Sequence, residues 1–280
     1  MRQAEVPGAC GIGLPADGEY GDRGDGSVEK QRLDKIIAST GRWSRREVKE
    51  LVRRGQVLVD GVPVRSAEEK ADPAAAAITV SGEALEYRRY TWVMLNKPAG
   101  YLSATEDGRD RTVLDLLPED LRRQGLFPVG RLDRDTEGLL LLTNEGGLAH
   151  DLLSPRHHVD KVYYARVKGR LTAEDCRMFQ AGMELDDGLL CLPACLEILS
   201  GGEESEARVT LREGKFHQVK RMLAHLGKPV LYLERIRMGP LELDGNLARG
   251  AYRFLTENEL ERLRGFDNPT KNVKSSPKSQ

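Results

Sequence analysis

From residue 33 onward the apolar positions fall into blocks whose period changes along the chain. Leu33, Ile36 and Ile37 recur at helical spacing, as do Val48, Leu51 and Val52. Ser44 and Glu47 form an S-x-x-E capping box at the start of the second block, and Thr40-Gly41-Arg42 separates the two. After Gly55 the period drops to two. Val57, Leu58 and Val59 lead into Asp60-Gly61, a tight-turn pair, and then Val62 and Val64. The pattern predicts two short helices followed by a small hairpin, within a compact region over residues 29–87.

A second region over residues 88–264 mixes the two periods. Tyr90 to Leu95 predicts a strand ended by Asn96-Lys97-Pro98, because proline cannot continue a ladder. Gly138 to Thr143 is a continuous apolar run closed by Asn144-Glu145-Gly146, as expected of a strand covered on both faces. Val162–Val167, Leu196–Leu199 and Ala207–Leu211 predict further strands. Helices are predicted at Thr112–Leu117, Gly147–Leu153, Ala173–Gly182, His217–Leu226 and Glu257–Leu263. Without βαβ regularity, the expectation is an α+β fold on a mixed sheet. Residues 1–28, with seven glycines and two prolines, and residues 265–280 are expected to be disordered tails.

Composition narrows the function classes. The 280 residues carry 43 basic and 44 acidic groups, a formal net charge of −1, so a wholly basic binder of nucleic acid is excluded. Charge is nevertheless uneven. Arg32, Lys35, Arg42, Arg45, Arg46, Lys49, Arg53, Arg54 and Arg65 face only Asp34, Glu47, Glu50 and Asp60 over residues 32–65. Phosphate oxygens complement such a face, but a solvated helix surface has the same composition. The longest unbroken apolar run is five residues, Ala74 to Ile78, too short to span a bilayer, and residues 1–30 do not read as a signal peptide. Four irregularly spaced cysteines give no disulfide framework. The expectation is a soluble cytoplasmic protein.

Three segments could carry chemistry. Gly130 to Gly138 (G-R-L-D-R-D-T-E-G) is polar, turn-rich and feeds directly into the apolar run, so a carboxylate there would sit on a loop braced by the core. An ordinary charged loop reads the same way. In His217 to Leu226, Val219, Met222, Leu223 and Leu226 make one stripe; Lys220 borders it while Arg221 points nearly opposite. Lys220 is thus placed either to meet a carboxylate in a cleft or to snorkel into water. Tyr163 and Tyr164 alternate across a strand, so only one can face a cleft, and a buried core tyrosine is the alternative. The histidines 150, 157 and 158 and the cysteines 191 and 195 lack the companions of a metal site, and no phosphate-cradling glycine motif precedes a helix.

The motifs together carry a resemblance. R-L-D-K-I-I-A followed by S-R-R-E-V-K-E-L-V-R-R-G-Q-V-L-V-D-G (residues 32–61) resembles the S4 RNA-binding domain, an αL-type module. L-N-K-P-A-G-Y (95–101), G-R-L-D-R-D-T-E-G-L-L-L-L-T-N-E-G (130–146), K-V-Y (161–163), E-G-K-F-H-Q-V-K-R-M (213–222) and L-E-R-I-R-M-G-P-L with G-A-Y-R-F-L-T (233–256) resemble, in this order, the ribosomal small-subunit pseudouridine synthases that carry an N-terminal S4 domain. The likeness implies Asp133 as the essential catalytic aspartate, with Asp135 not its equivalent, Tyr163 against the target base, and Lys220 as the basic partner, Arg221 standing in if the register slips by one. It implies RNA contacts from Arg32, Lys35, Arg42, Arg45, Arg46, Lys49, Arg53 and Arg131.

The reaction so implied breaks the glycosidic C–N bond of a uridine, turns the uracil and rejoins it through C5. Nothing is gained from outside, so neither cofactor nor metal is expected. The expected partner is ribosomal RNA or a pre-ribosomal particle, met by a monomer. A large-subunit specialist of the same family and a non-catalytic assembly factor are the competing readings.

Overall fold

The computed structural model describes residues 30–266; the expected tails lie outside the described residues, except that residues 265 and 266 end the last helix, Glu257–Phe266. The N-terminal region begins with the predicted helices, Leu33–Ser39 and Arg45–Arg53. The capping box forms: the Ser44 hydroxyl accepts from the Glu47 N–H at 3.3 Å, and the Ser44 N–H donates to Glu47 Oε2 at 2.6 Å. The hairpin Val57–Val59 and Val62–Pro63 turns at Asp60-Gly61, both in the left-handed region that a two-residue turn requires. Two strands that the pattern did not announce, Ile78–Val80 and Glu83–Ala84, complete a four-stranded sheet. Leu33, Ile36, Ile37, Val48, Val52 and Val57 pack as its core.

The larger region is built on a nine-stranded mixed sheet. Its main path runs 195–200, 204–211, 161–168, 230–238, 137–143, 92–97, 252–254. All pairings along it are antiparallel except that of Val230–Met238 with Glu137–Thr143, which is parallel. The four consecutive leucines of Glu137–Thr143 follow from coverage on both faces. Leu140 and Leu142 enter one core with Tyr163, Val219, Met222 and Leu233, while Leu139 and Leu141 enter another with Trp92, Leu148 and Met238.

Three expectations need correction. The strand predicted to stop at Leu95 spans Trp92–Lys97, since Asn96 and Lys97 still pair with Leu139 and Gly138 before Pro98 ends the ladder. Thr112–Leu117 forms a 3₁₀ turn, Val113–Leu116, under a Thr112/Asp115 box. The nine-residue strand Val230–Met238, central to the sheet, was not anticipated, because its polar residues break the alternation. Part of this polarity is met in the fold: Tyr232 and Glu234 meet Arg249, and the fully buried Arg235 donates Nε to the Leu139 carbonyl at 2.8 Å, whereas Arg235 Nη2 and Arg237 Nε are buried with no hydrogen-bond partner among the described residues.

Candidate active site

The G-R-L-D-R-D-T loop enters the central strand through Gly138 (φ +97°). A Cβ there would lie 2.3 Å from the Arg235 carbonyl oxygen, so only glycine lets the two parallel strands approach. Upstream, Leu132 is buried in the core, and its backbone N–H and C=O are both held by the Ser103 hydroxyl, at 3.0 and 2.9 Å. Asp133 is the next residue, so its carboxylate leaves a backbone fixed on one side by packing and on the other by strand pairing.

Lys97 fixes the loop from below. Its side chain is wholly buried, and Nζ donates to the carbonyls of Asp133 (3.1 Å), Arg134 (3.2 Å) and Thr136 (2.9 Å) as well as Pro98 (3.1 Å). Burial pushes its pKa down to about 8, against the pull of Asp135, Glu137 and Asp133. Sequence reading included Lys97 in a motif and gave it no role; a buried lysine carries no periodic signal that separates it from an exposed one.

The partner comes from the helix Gln218–His225. Its entry is set by His217 in the left-handed region and by the buried Gln218, which donates to Glu213 Oε1 at 2.5 Å. One turn in, Lys220 Nζ lies 3.0 Å from Asp133 Oδ2 and 2.5 Å from Asp135 Oδ1. Arg221 turns away to pair with Asp187. Asp135, set aside on sequence grounds, thus shares the ammonium, and the bond to Lys220 holds its carboxyl below the usual range. The two carboxylates differ in enclosure: the Asp133 side chain is 24% exposed and that of Asp135 76%. Water therefore screens the Asp135 contact far more than the Asp133 one.

A further neighbour was not foreseen. His217 Nε2 stands 3.4 Å from Asp133 Oδ1, and its ring stacks on Phe216 with centroids 3.8 Å apart. Beside Lys220, a hollow of about 360 Å³ is lined by Ala99, Asp135, Glu137, Tyr232 and Leu233. Its floor is braced by Arg249, which pairs with Glu137 at 3.0 Å and Glu234 at 3.2 Å.

Tyr163 is nearly buried in the core that also holds Leu132, and its hydroxyl has no hydrogen-bond partner among the described residues. Tyr164 faces the other side of the sheet, edge-on to Tyr232. Among the described residues no hydrogen bond joins Tyr163 to the Asp133–Lys220 pair, although Tyr163 shares a core with Leu132, the neighbour of Asp133. Arg131 is exposed.

The basic face of the small region divides in two. Arg32 pairs with the buried Asp34 and with Glu68, Arg42 with Glu83, and Arg53 with Glu50. Lys35, Arg45, Arg46 and Lys49 are exposed and make no ion pair among the described residues. Among the described residues no cluster of three or more His, Cys, Asp or Glu side chains is placed to hold a metal ion, and no helix is long and apolar enough to cross a membrane.

Comparison with known proteins decides the family. Residues 91–225 match the RNA pseudouridylate synthase family, and residues 31–75 match the S4 domain. An RNA pseudouridine synthase of Bacillus subtilis is 47% identical over 83% of this chain and 98% of its own length. The chain belongs to the pseudouridine synthase family. Ribosomal small subunit pseudouridine synthase A of Vibrio cholerae is 39% identical over 82% of this chain and 97% of its own length, and that of Escherichia coli 38% over 82% and 98%. A crystal structure of a pseudouridylate synthase, 34% identical, superimposes with a TM-score of 0.59 over 83% of this chain and 99% of that one. The N-terminal S4 domain and mixed-sheet synthase domain expected of the sequence are therefore those of an RNA-modifying isomerase.

Proposed function

We propose that this synthase isomerises a specific uridine of small-subunit (16S) ribosomal RNA, with Asp133 as its essential carboxylate. The observation that carries the reading is the Asp133–Lys220 pair, 3.0 Å apart on a loop whose carbonyls are held by Lys97. The ammonium pairs with the carboxylate in a partly enclosed site, and a carboxylate oxygen so positioned can attack the nucleoside or take a proton from its ribose. Tyr163 lies against the base, where its ring stacks and its hydroxyl assists removal of the final C5 proton. The uridine must leave its stack to reach the site, at a cost of roughly a few kcal/mol. Contacts from Lys35, Arg45, Arg46 and Lys49 to phosphates offset that cost and select the RNA context, with Arg131 contributing beside the site. The small-subunit target is supported by the relatives named for it, which this chain matches over nearly their whole length.

The test is a pseudouridine map of ribosomal RNA from cells with and without the protein, repeated with Asp133→Asn. One 16S position should lose its modification in both the null strain and the variant, while purified Asp133→Asn still binds the RNA. Normal turnover by the variant removes Asp133 from the mechanism. Loss confined to 23S RNA reassigns the substrate.

A further inference from the structure

Among the described residues Phe216 is the most exposed of the large apolar side chains, with 74% of its surface open, yet it does not sit on a loose loop. Glu213 anchors the segment by accepting from Gln218 and from the Leu192 N–H at 2.9 Å, and the Lys215 N–H donates to Gln218 Oε1 at 3.0 Å. The left-handed His217 (φ +51°) then turns the chain into the helix that carries Lys220. A single exposed apolar residue is ordinary on a protein surface. What sets this one apart is its backing: the Phe216 ring lies face to face on the His217 imidazole at 16°, and that imidazole stands 3.4 Å from the Asp133 carboxylate. One face of a preset aromatic pair is thus presented at the rim of the site.

On the reading that the substrate is RNA, we propose that Phe216, backed by His217, is a stacking platform for a nucleobase that flanks the uridine being isomerised. An extruded nucleotide leaves its neighbours without a stacking partner, and an aromatic ring fixed beside the carboxylate supplies one at little ordering cost. Because every base presents a π-face, the platform holds the flanking nucleotide in place without reading its identity.

The test uses the full-length protein and an unmodified 16S ribosomal RNA transcript, with affinity and single-turnover pseudouridine formation measured separately for Phe216→Ala, Phe216→Leu and Phe216→Tyr. Tyrosine keeps the π-face, and its variant should stay within about twofold of the parent. Alanine and leucine should each weaken binding or turnover by about 5- to 150-fold, the range that loss of one base–aromatic stack gives. Melting temperature and salt slope should not change. The proposal is overturned if alanine matches the parent, or if leucine serves as well as tyrosine. A parent protein that binds the transcript and forms no pseudouridine overturns the 16S isomerase reading instead, and the affinities of the three variants still decide the platform.

Discussion

An ammonium that water does not reach holds the backbone on which Asp133 stands. With three protons, Lys97 serves carbonyls at Asp133, Arg134 and Thr136, and no neutral side chain of its length reproduces that. Lys97→Met should lower turnover by about a hundredfold, the scale of an ångström's misplacement, while leaving RNA affinity near that of the parent. The same residue sets a pH signature. Its folded pKa of about 8 lies below the 10.5 of an exposed lysine, and Lys161, also buried, behaves alike. Below pH 8 both states of the protein hold these protons. Between about 8 and 10.5 the unfolded chain holds protons that the folded one has lost, so these two lysines make stability rise with pH across that window. Urea unfolding at pH 7.5 and 9.5 should show this rise reduced in Lys97→Met, with the Lys161 share left. Adjacent positions on the 218–225 helix give a second contrast. Lys220→Met should cut single-turnover pseudouridine formation by about a hundredfold or more, and Arg221→Ala, whose partner is Asp187, should stay within about threefold.

Elements differ in how openly the sequence declared them. The 45–53 helix was legible from its apolar spacing and its Ser44/Glu47 box, and the 137–143 strand from four leucines in a row, because in each case local pattern and burial agree. The 230–238 strand was hidden, since Tyr232, Glu234 and Arg235 look like surface residues until Arg249, Glu137 and the Leu139 carbonyl are folded against them. The candidate site followed the same rule. Motif likeness pointed to Asp133 and Lys220, whereas the sharing of Lys220 with Asp135 and the approach of His217 depend on loop geometry that no spacing encodes. For the 45–53 helix the structure refines what charge counting left undivided. Replacing Arg45, Arg46 and Lys49 together by alanine should reduce the slope of log affinity against log salt by about 2, at roughly 0.7–0.9 per phosphate contact. Arg53→Ala, which mainly releases Glu50, should change the slope by less than half a contact. Affinity titrations from low to high salt separate the two.

At the scale of the whole molecule, the two domains touch through a close backbone contact. A Cβ on Gly41 (φ +77°) would lie 1.8 Å from the Asp120 carbonyl oxygen, and Gln124 joins the regions by donating to the Thr40 carbonyl at 2.9 Å while accepting from the Thr91 hydroxyl at 2.7 Å. Gly41→Ala should therefore undock the S4 domain. Small-angle scattering should report a larger radius of gyration, and turnover on long RNA should fall, with the Asp133 site itself unaltered. An unchanged radius would show that the contact does not set the arrangement.

The parallel pairing of Glu137 with Glu234 reaches across roughly a hundred residues of chain. During synthesis the leucine strand leaves the exit tunnel with its antiparallel neighbour Trp92–Lys97 already made, so Lys97 and Ser103 can hold the aspartate loop on one side, while the parallel side stays open until residues 230–238 have emerged. A nascent fragment ending before residue 230 would have its RNA-binding module complete and both Asp133 and Lys220 made, with the strand that packs beside Gly138 still missing.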